Sequence, residues 1–514
     1  MIEEPSSLLR SISYWLGIVL LIAIVLEITF FPSLANALGC IMALTSYGVF
    51  RYFLKRHYIV NFPFAFLMYL SMFLYRYLPL VATILEGKPI TYGFERPIVT
   101  FFYEILLFLI SSLAFYLACG RLGKKSSNNL LTKSLYQCGF FKISKSELWI
   151  LGFMGLVIRI FTFSLGSIEY GDVTGKFVSG LGYLYNAPII LLFPKLINLK
   201  DNYSKKPIWL YISVIFLINI ASNSRESIIA PVATALILFF LNAIISNVKL
   251  SDIISIPKVA GVTILIFFGI SIISDLSLAM LYTRAVRGDV GKMQLLTQTI
   301  DTYRDKELLN SLRNKMDRKT KVLESYSSGW TEDYLDNFML NRYANMRISD
   351  QTLYYAERIG FGNTKMRNSF YDRWLSLLPS PVLKALKINL DKAQLSFSRG
   401  DLLFGSNLSS FKVTSHIADG LATFGYLYFL IQLLAFLIVF KLLNYFVYTS
   451  IDQNIYAPYA LMSVFVFLGM FRNANGISSD ISFIFRGFWQ GIITYLIFVT
   501  LSRAVSAIML RKRS

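Results

Sequence analysis

Arginine dominates three of the four polar clusters that interrupt this otherwise apolar sequence. Ser222-Asn223-Ser224-Arg225-Glu226-Ser227 is a tight turn between two apolar blocks. Arg472-Asn473-Ala474-Asn475-Gly476 opens a second short turn, and Arg486 follows near the start of the final apolar block. Asn341-Arg342-Tyr343-Ala344-Asn345-Met346-Arg347, then Arg358, belong to a long polar segment that begins just after Arg284 and Arg287. A guanidinium is planar and permanently charged, and its fork makes paired, charge-assisted hydrogen bonds to phosphate oxygens. Several of them at a membrane boundary suit a diphosphate carried on a lipid. The competing account is structural: interfacial snorkelling, a local Arg225–Glu226 pair, or a helix-end role.

The fourth cluster is Thr414-Ser415-His416-Ile417-Ala418-Asp419-Gly420. The chain has only two histidines, His57 and His416. Histidine at a loop–membrane junction suits general-base work near neutral pH, and Asp419 is a second candidate base. Each has a structural alternative, helix capping for His416 and a first-turn dipole partner for Asp419. No Gly-rich phosphate loop ending in Lys-Ser/Thr is present, so ATP-driven transport has no support. Without a His-Glu-x-x-His motif, a Cys/His cluster or a paired Asp-x-Asp, no metal site and no cofactor is expected. A departing diphosphate would then depend on arginine.

Positioning these residues falls to membrane-spanning helices. Of 514 residues, 55% are hydrophobic and 16% charged, and mean hydropathy is +0.55; a soluble domain carries about a quarter charged residues. Apolar blocks fall at about 13–31, 33–52, 58–85, 98–119, 148–166, 177–197, 207–222, 226–246, 259–278, 421–440, 456–471 and 484–502, each near the ~20 residues that cross a bilayer. The expected class is an all-α polytopic membrane protein with about twelve spans. The block at 177–197 contains Gly180, Gly182 and Pro188 and reads as broken or re-entrant. The first block lacks a cleavage site and reads as a retained helix.

The formal charge of +20 comes from basic loops rather than from any nucleic-acid-binding motif. With the N-terminus inside, the inner short loops hold about 21 Lys and Arg against about 6 outside. Both termini are therefore expected in the cytoplasm. The chain divides into a first bundle at 1–278, an extracytoplasmic loop at 279–418, and three last helices with a basic tail at 419–514. A loop that long is expected to fold, with an amphipathic stretch over Thr297–Leu323. Cys40, Cys119 and Cys138 suggest no disulfide framework.

Three segments carry a resemblance to a family. Asn223-Ser224-Arg225-Glu226-Ser227-Ile228-Ile229 looks like a small-Arg-x-x-apolar turn opening a span. Val413–Gly420 with Leu421-Ala422-Thr423-Phe424-Gly425 looks like the segment that follows a large outer loop. Phe471–Gly476, with Asp480 and Arg486, is similar to an Arg-rich penultimate loop. Together they resemble the Wzy-type polymerases of bacterial surface polysaccharide, which include O-antigen and enterobacterial common antigen polymerases and are related to O-antigen ligases. One departure is Asp419, where the family often carries Glu.

The resemblance implies glycosyl transfer on the outer face of the bacterial cytoplasmic membrane. A glycan on undecaprenyl diphosphate is the donor and the next lipid-linked repeat unit the acceptor, with inversion at the anomeric carbon. It puts Arg225, Arg472 and Arg486 on the diphosphate, Arg347 on diphosphate or sugar, and His416 or Asp419 as base. Tyr343, Tyr354, Tyr355 and Trp374 would stack on sugars; the alternative is that they form the loop's own core. Membrane lipids are partners, a chain-length regulator is left open, and nucleic acid is not a partner. Three rivals stand beside this reading: a lipid-linked oligosaccharide flippase, an O-antigen-ligase-like transferase, and a structural subunit without an active site. A flippase would place charge inside its spans, where Arg76, Glu104, Arg159 and Asp275 are the exceptions in this sequence.

Overall fold

The computed structural model describes residues 6–120, 128–164, 180–200, 203–221, 225–249, 275–276, 278–283, 292–321, 325–329, 335, 337, 340–341, 344–378, 380–395, 397–406, 408, 410–450, 453–472 and 474–511. Helix makes up 77% of it and strand 1%, so the class is all-α. Among the described residues, six helices are long and apolar enough to cross a membrane: Ser7–Phe30, Pro63–Leu85, Pro97–Cys119, Ser227–Ile245, His416–Asn444 and Ser478–Met509. Leu34–Phe53 and Lys145–Ser164 are 20-residue helices outside that set. The apolar block at 259–278 lies almost wholly outside the described residues.

Local chemistry starts and stops these helices. Pro63 and Pro97 occupy first-turn positions, where a missing N–H costs nothing. Gly120 ends Pro97–Cys119 at φ 75°, a conformation that favours glycine. Between helices the packing is aromatic. The Phe50 and Phe73 rings stack at 4.0 Å, and Tyr69 stacks on Phe115 at 4.7 Å while its hydroxyl bonds Ser112 at 2.9 Å. A buried tyrosine thereby keeps its polar end satisfied.

Several expected spans are not continuous α-helices, and two of them shape the candidate functional site. The block at 177–197 forms a 3₁₀ helix, Gly182–Leu192, and a 3₁₀ turn, Pro194–Ile197. Pro188 lies inside the first, and proline can neither donate to an α-helical ladder nor avoid the preceding turn. This tighter rod packs against Lys145–Ser164 at two glycines. A Cβ on Gly155 would lie 2.2 Å from the Tyr185 nitrogen, and one on Gly152 would lie 2.3 Å from the Pro188 ring. The block at 456–471 divides at Ser463 into Pro458–Met462 and Val464–Leu468. There the Asn186 side-chain amide donates to the Met462 carbonyl at 3.1 Å, taking the place of a helical N–H.

The polar segment expected as a loop is largely helical where it is described. The stretch expected over Thr297–Leu323 forms two helices, Lys292–Arg304 and Lys306–Lys321. They part at Asp305, whose carboxylate accepts the Leu308 N–H at 2.9 Å. A third helix, Arg347–Ile359, docks on the bundle through its fully buried Asp350. That carboxylate accepts the Glu95 N–H at 2.8 Å, the Thr100 hydroxyl at 2.7 Å and the Tyr326 hydroxyl at 2.6 Å. Asp350 thus satisfies, from a distant part of the chain, the Glu95 and Arg96 N–H groups that lead into Pro97–Cys119. Burial raises its pKa from the ordinary carboxylate value, and those hydrogen bonds oppose the rise.

Candidate functional site

Three irregular backbone segments meet around one cavity of about 740 Å³. The 3₁₀ helix Gly182–Leu192 supplies Tyr183, Tyr185 and Asn186; the interruption at Ser463 supplies Ser463 itself and Phe465. The third is a π-helical turn, Phe483–Gly487, which interrupts the last long helix and carries Arg486. Irregular backbone at membrane depth survives only where protein buries it or where it lines a polar cavity. Single π turns inside helices also gather at functional sites. The volume falls within the range of ligand pockets.

The wall is polar in a one-sided way. Arg159 from Lys145–Ser164 and Arg486 both line it, and no Asp or Glu does among the described residues. Arg486 donates from Nε to Gln490 Oε1 at 3.0 Å, one turn on. Arg159 donates from Nε to Asn219 Oδ1 at 3.2 Å, and Asn219 in turn donates to the Ser227 carbonyl at 2.7 Å. Side-chain amides therefore orient both guanidiniums. Cations held this way in a water-poor setting act on an anion more strongly than they would in water. Tyr183, Tyr459 and Phe483 add aromatic wall.

Of the arginines expected on diphosphate, Arg486 lines this cavity. Arg225 begins the helix Arg225–Ile245, whose Ser227 and Ala230 also line it, but the Arg225 side chain lies outside the described residues. Arg472 is not on the wall; its guanidinium lies against Gly469, beside the lining residue Met470. Arg347 is elsewhere, buried at the docked loop helix, where it donates to the Gly93 carbonyl at 3.0 Å and covers the Tyr326 ring. That is an anchoring role.

The two expected bases are brought together, but away from the cavity wall. His416 and Asp419 share the helix His416–Phe424, whose first turn Ser415 caps by accepting the Ala418 N–H at 3.2 Å. Asp419 is fully buried. One oxygen pairs with Arg399 at 2.6 Å, and the other accepts the Ile477 N–H at 3.1 Å. With both oxygens engaged, Asp419 holds the 472–477 turn in place. The His416 ring stacks on Phe471 at 4.9 Å and sits 3.8 Å from Asp480. Neither ring nitrogen has a hydrogen-bond partner among the described residues.

Next to His416 runs a buried polar chain. Arg76 pairs with Glu104 at 2.6 Å, and Glu104 accepts the Ser349 hydroxyl at 2.6 Å. The Arg76 guanidinium also lies 5.0 Å over the Phe471 ring. Two of the four intramembrane charges singled out in the sequence, Arg76 and Glu104, thus neutralise each other and tie the loop helix to two spans.

The expected sugar-stacking aromatics are dispersed. Tyr343 lies outside the described residues. Tyr354 packs edge-on against Tyr326 and Tyr355, and the Tyr355 hydroxyl donates to the Tyr326 carbonyl at 2.5 Å. These two are core of the loop layer. Trp374 is 40% exposed and meets Phe485 edge-on at 5.7 Å, next in sequence to Arg486. Arg399 carried no signal in the sequence, whereas Arg159 did, as a charge inside an apolar block. No group of three or more metal-ligating side chains occurs among the described residues. Comparison with family models, with curated proteins and with solved structures gives no match.

Proposed function

We propose that this chain is a membrane glycosyltransferase that polymerises oligosaccharide repeat units carried on undecaprenyl diphosphate. In this reading it crosses the bacterial cytoplasmic membrane about twelve times, with both termini inside and the 279–418 segment outside. The observation that carries the proposal is the cavity at three irregular helical segments, with Arg159 and Arg486 on its wall and no carboxylate among its described lining. The three sequence segments that resemble Wzy-type polymerases supply the substrate class.

The proposed step is displacement at the anomeric carbon of the donor's reducing-end sugar. A hydroxyl of the acceptor repeat unit forms the new C–O bond, and the bond to the diphosphate breaks with its electron pair. Arg486 and Arg159 stabilise the charge that develops on the leaving group, and the sequence resemblance adds Arg225 to them. Holding both lipid substrates side by side makes the attack effectively intramolecular. His416 takes the hydroxyl proton in this reading, and because its buried ring lies off the cavity wall between Phe436 and Phe471, both rings must move to open a path to it. Asp419 positions the 472–477 turn and is not the base.

Arg159 inside a helix is also what a flippase would use, so one experiment must separate the two. The protein is deleted and surface polysaccharide is resolved on a gel. Polymerase loss leaves single repeat units on the lipid A core. Flippase loss leaves no exported units, and ligase loss leaves long chains that never reach the core. Either of the last two patterns removes the polymerase reading.

A further inference from the structure

Within the polar segment at 279–418, the helix Thr364–Leu375 is two-faced. One face is packed into protein: Met366, Ser369 and Phe370 are buried, and the Phe370 ring meets Phe424 at 5.0 Å. Arg367, Tyr371 and Trp374 are all exposed, and their spacing of four and then three residues puts them on one stripe. Arg367 donates to the Gly362 carbonyl at 2.9 Å. Single exposed aromatics need no explanation, but a row of them beside a membrane does.

Near each of its ends, this helix meets an exposed ring of a candidate span. Phe361, just before its start, packs edge-on against Tyr426 at 5.7 Å, and Trp374 packs edge-on against Phe485 at 5.7 Å. Tyr426 and Phe485 are 67% and 56% exposed and belong to His416–Asn444 and Ser478–Met509. Their depth follows from the length of those spans. At about 1.5 Å per helical residue, Tyr426 lies about 27 Å from Asn444, and Phe485 lies about 27 Å from Arg503. Asn444 and Arg503 mark the same polar end, because the helix Leu130–Gln137 and the turn after it bind both neighbourhoods. Thr132 donates to the Tyr445 carbonyl at 3.5 Å, and Arg503 donates to the Gly139 carbonyl at 2.9 Å. A hydrocarbon core is about 30 Å thick, so both exposed rings stand at its opposite boundary. Two contacts at one depth, one near each end, lay Thr364–Leu375 flat along that boundary.

Tryptophan and tyrosine settle at headgroup level because each ring is apolar over most of its surface and hydrogen-bonds at one edge. An arginine on the same stripe keeps its charge in the headgroup layer while its stem lies over apolar surface. We infer that Thr364–Leu375 is a membrane-interface anchor, with Tyr371 and Trp374 inserted among phospholipid headgroups and the uppermost acyl carbons. The stripe is continuous through Trp374 with the exposed surface of a span, which commits it to lipid. The anchor rests on the spans alone and is independent of the transfer chemistry.

The test uses full-length protein in vesicles of phosphatidylethanolamine and phosphatidylglycerol. Cys138→Ser leaves the buried Cys40 and Cys119. In that background a nitroxide is attached at Tyr371→Cys, at Trp374→Cys, or at Lys365→Cys, an exposed position on the other side of the same helix. Power saturation compares collisions with oxygen, which dissolves in the bilayer, and with a nickel chelate confined to water. The oxygen-to-nickel ratio is expected to be several-fold higher at 371 and 374 than at 365. Equal ratios overturn the inference and leave the stripe facing water, as the docking surface of a protein partner would. A high ratio at all three positions overturns it equally, since the helix would then be embedded rather than lying flat. The unaltered chain gives a second reading: a phospholipid with a photoactivated diazirine near its headgroup should form adducts on Tyr371 or Trp374, and their absence contradicts the anchor.

Discussion

At residue scale, the ion pair between Arg399 and Asp419 decides what the polar helix His416–Phe424 is for. Both side chains are almost wholly buried, so removing one partner strands a charge. Asp419→Ala should destabilise the protein by roughly 3–5 kcal/mol, as broken buried pairs do. Loss of the monodisperse peak in size-exclusion chromatography would report it, and a well-folded Asp419→Ala variant would remove the positioning role. His416→Gln is expected to behave differently. Its ring nitrogens make no hydrogen bond among the described residues, so the fold should survive while chain extension is lost. Normal extension by folded His416→Gln would take His416 out of the mechanism. The sequence pointed to His416 through the scarcity of histidine and to both residues through their place at the end of a polar segment. It held no clue to Arg399 as partner, because a contact across twenty residues of irregular chain leaves no periodic trace. Arg76 and Glu104 were legible as anomalies, since charge in an apolar block demands a partner.

At the scale of elements, uninterrupted apolar blocks foretold helices well, and the interrupted block at 177–197 foretold irregular backbone. Gly182 and Pro188 marked the 3₁₀ segment as irregular from composition alone. The break at Ser463 was not legible, because it depends on Asn186 reaching Met462 from another segment. Close approach of the 3₁₀ rod to Lys145–Ser164 rests on Gly155. Gly155→Val should therefore push the two apart and lower the midpoint of thermal unfolding, overpacking of this kind costing about 1–3 kcal/mol; an unchanged midpoint contradicts the packing. Docking of the Arg347–Ile359 helix depends likewise on Asp350, a contact 250 residues from Thr100 in sequence. Asp350→Ala leaves buried donors without an acceptor, at a cost of about 1–3 kcal/mol. The expected outcome is faster protease cleavage between residues 326 and 360 while the spans stay protected. Equal cleavage rates in the variant and the wild type would show that other contacts hold this layer.

For the whole molecule, composition and block length establish a helical membrane protein, and charge asymmetry proposes its orientation. Cys138 is exposed and free, in a loop proposed to be cytoplasmic. A membrane-impermeant maleimide applied to intact cells should leave Cys138 unmodified, and should label a cysteine placed at the exposed Ser327 (Ser327→Cys) in a Cys138→Ser background. The opposite pattern inverts the topology and puts the cavity chemistry on the wrong face. Least legible was how arginines far apart in sequence are distributed. Of those expected on diphosphate, Arg486 lines the cavity and Arg347 anchors a loop, because packing between distant helices, not local spacing, sets where each side chain ends. The central claim is that cations on the cavity wall stabilise a departing diphosphate. It is tested most directly by the rate of chain extension on purified lipid-linked repeat units in proteoliposomes, comparing wild type with Arg486→Ala and Arg486→Lys. Loss of about a hundredfold or more is predicted for Ala, the scale of removing one group that stabilises transition-state charge, with partial recovery in Lys. Extension by folded Arg486→Ala at the wild-type rate would contradict it.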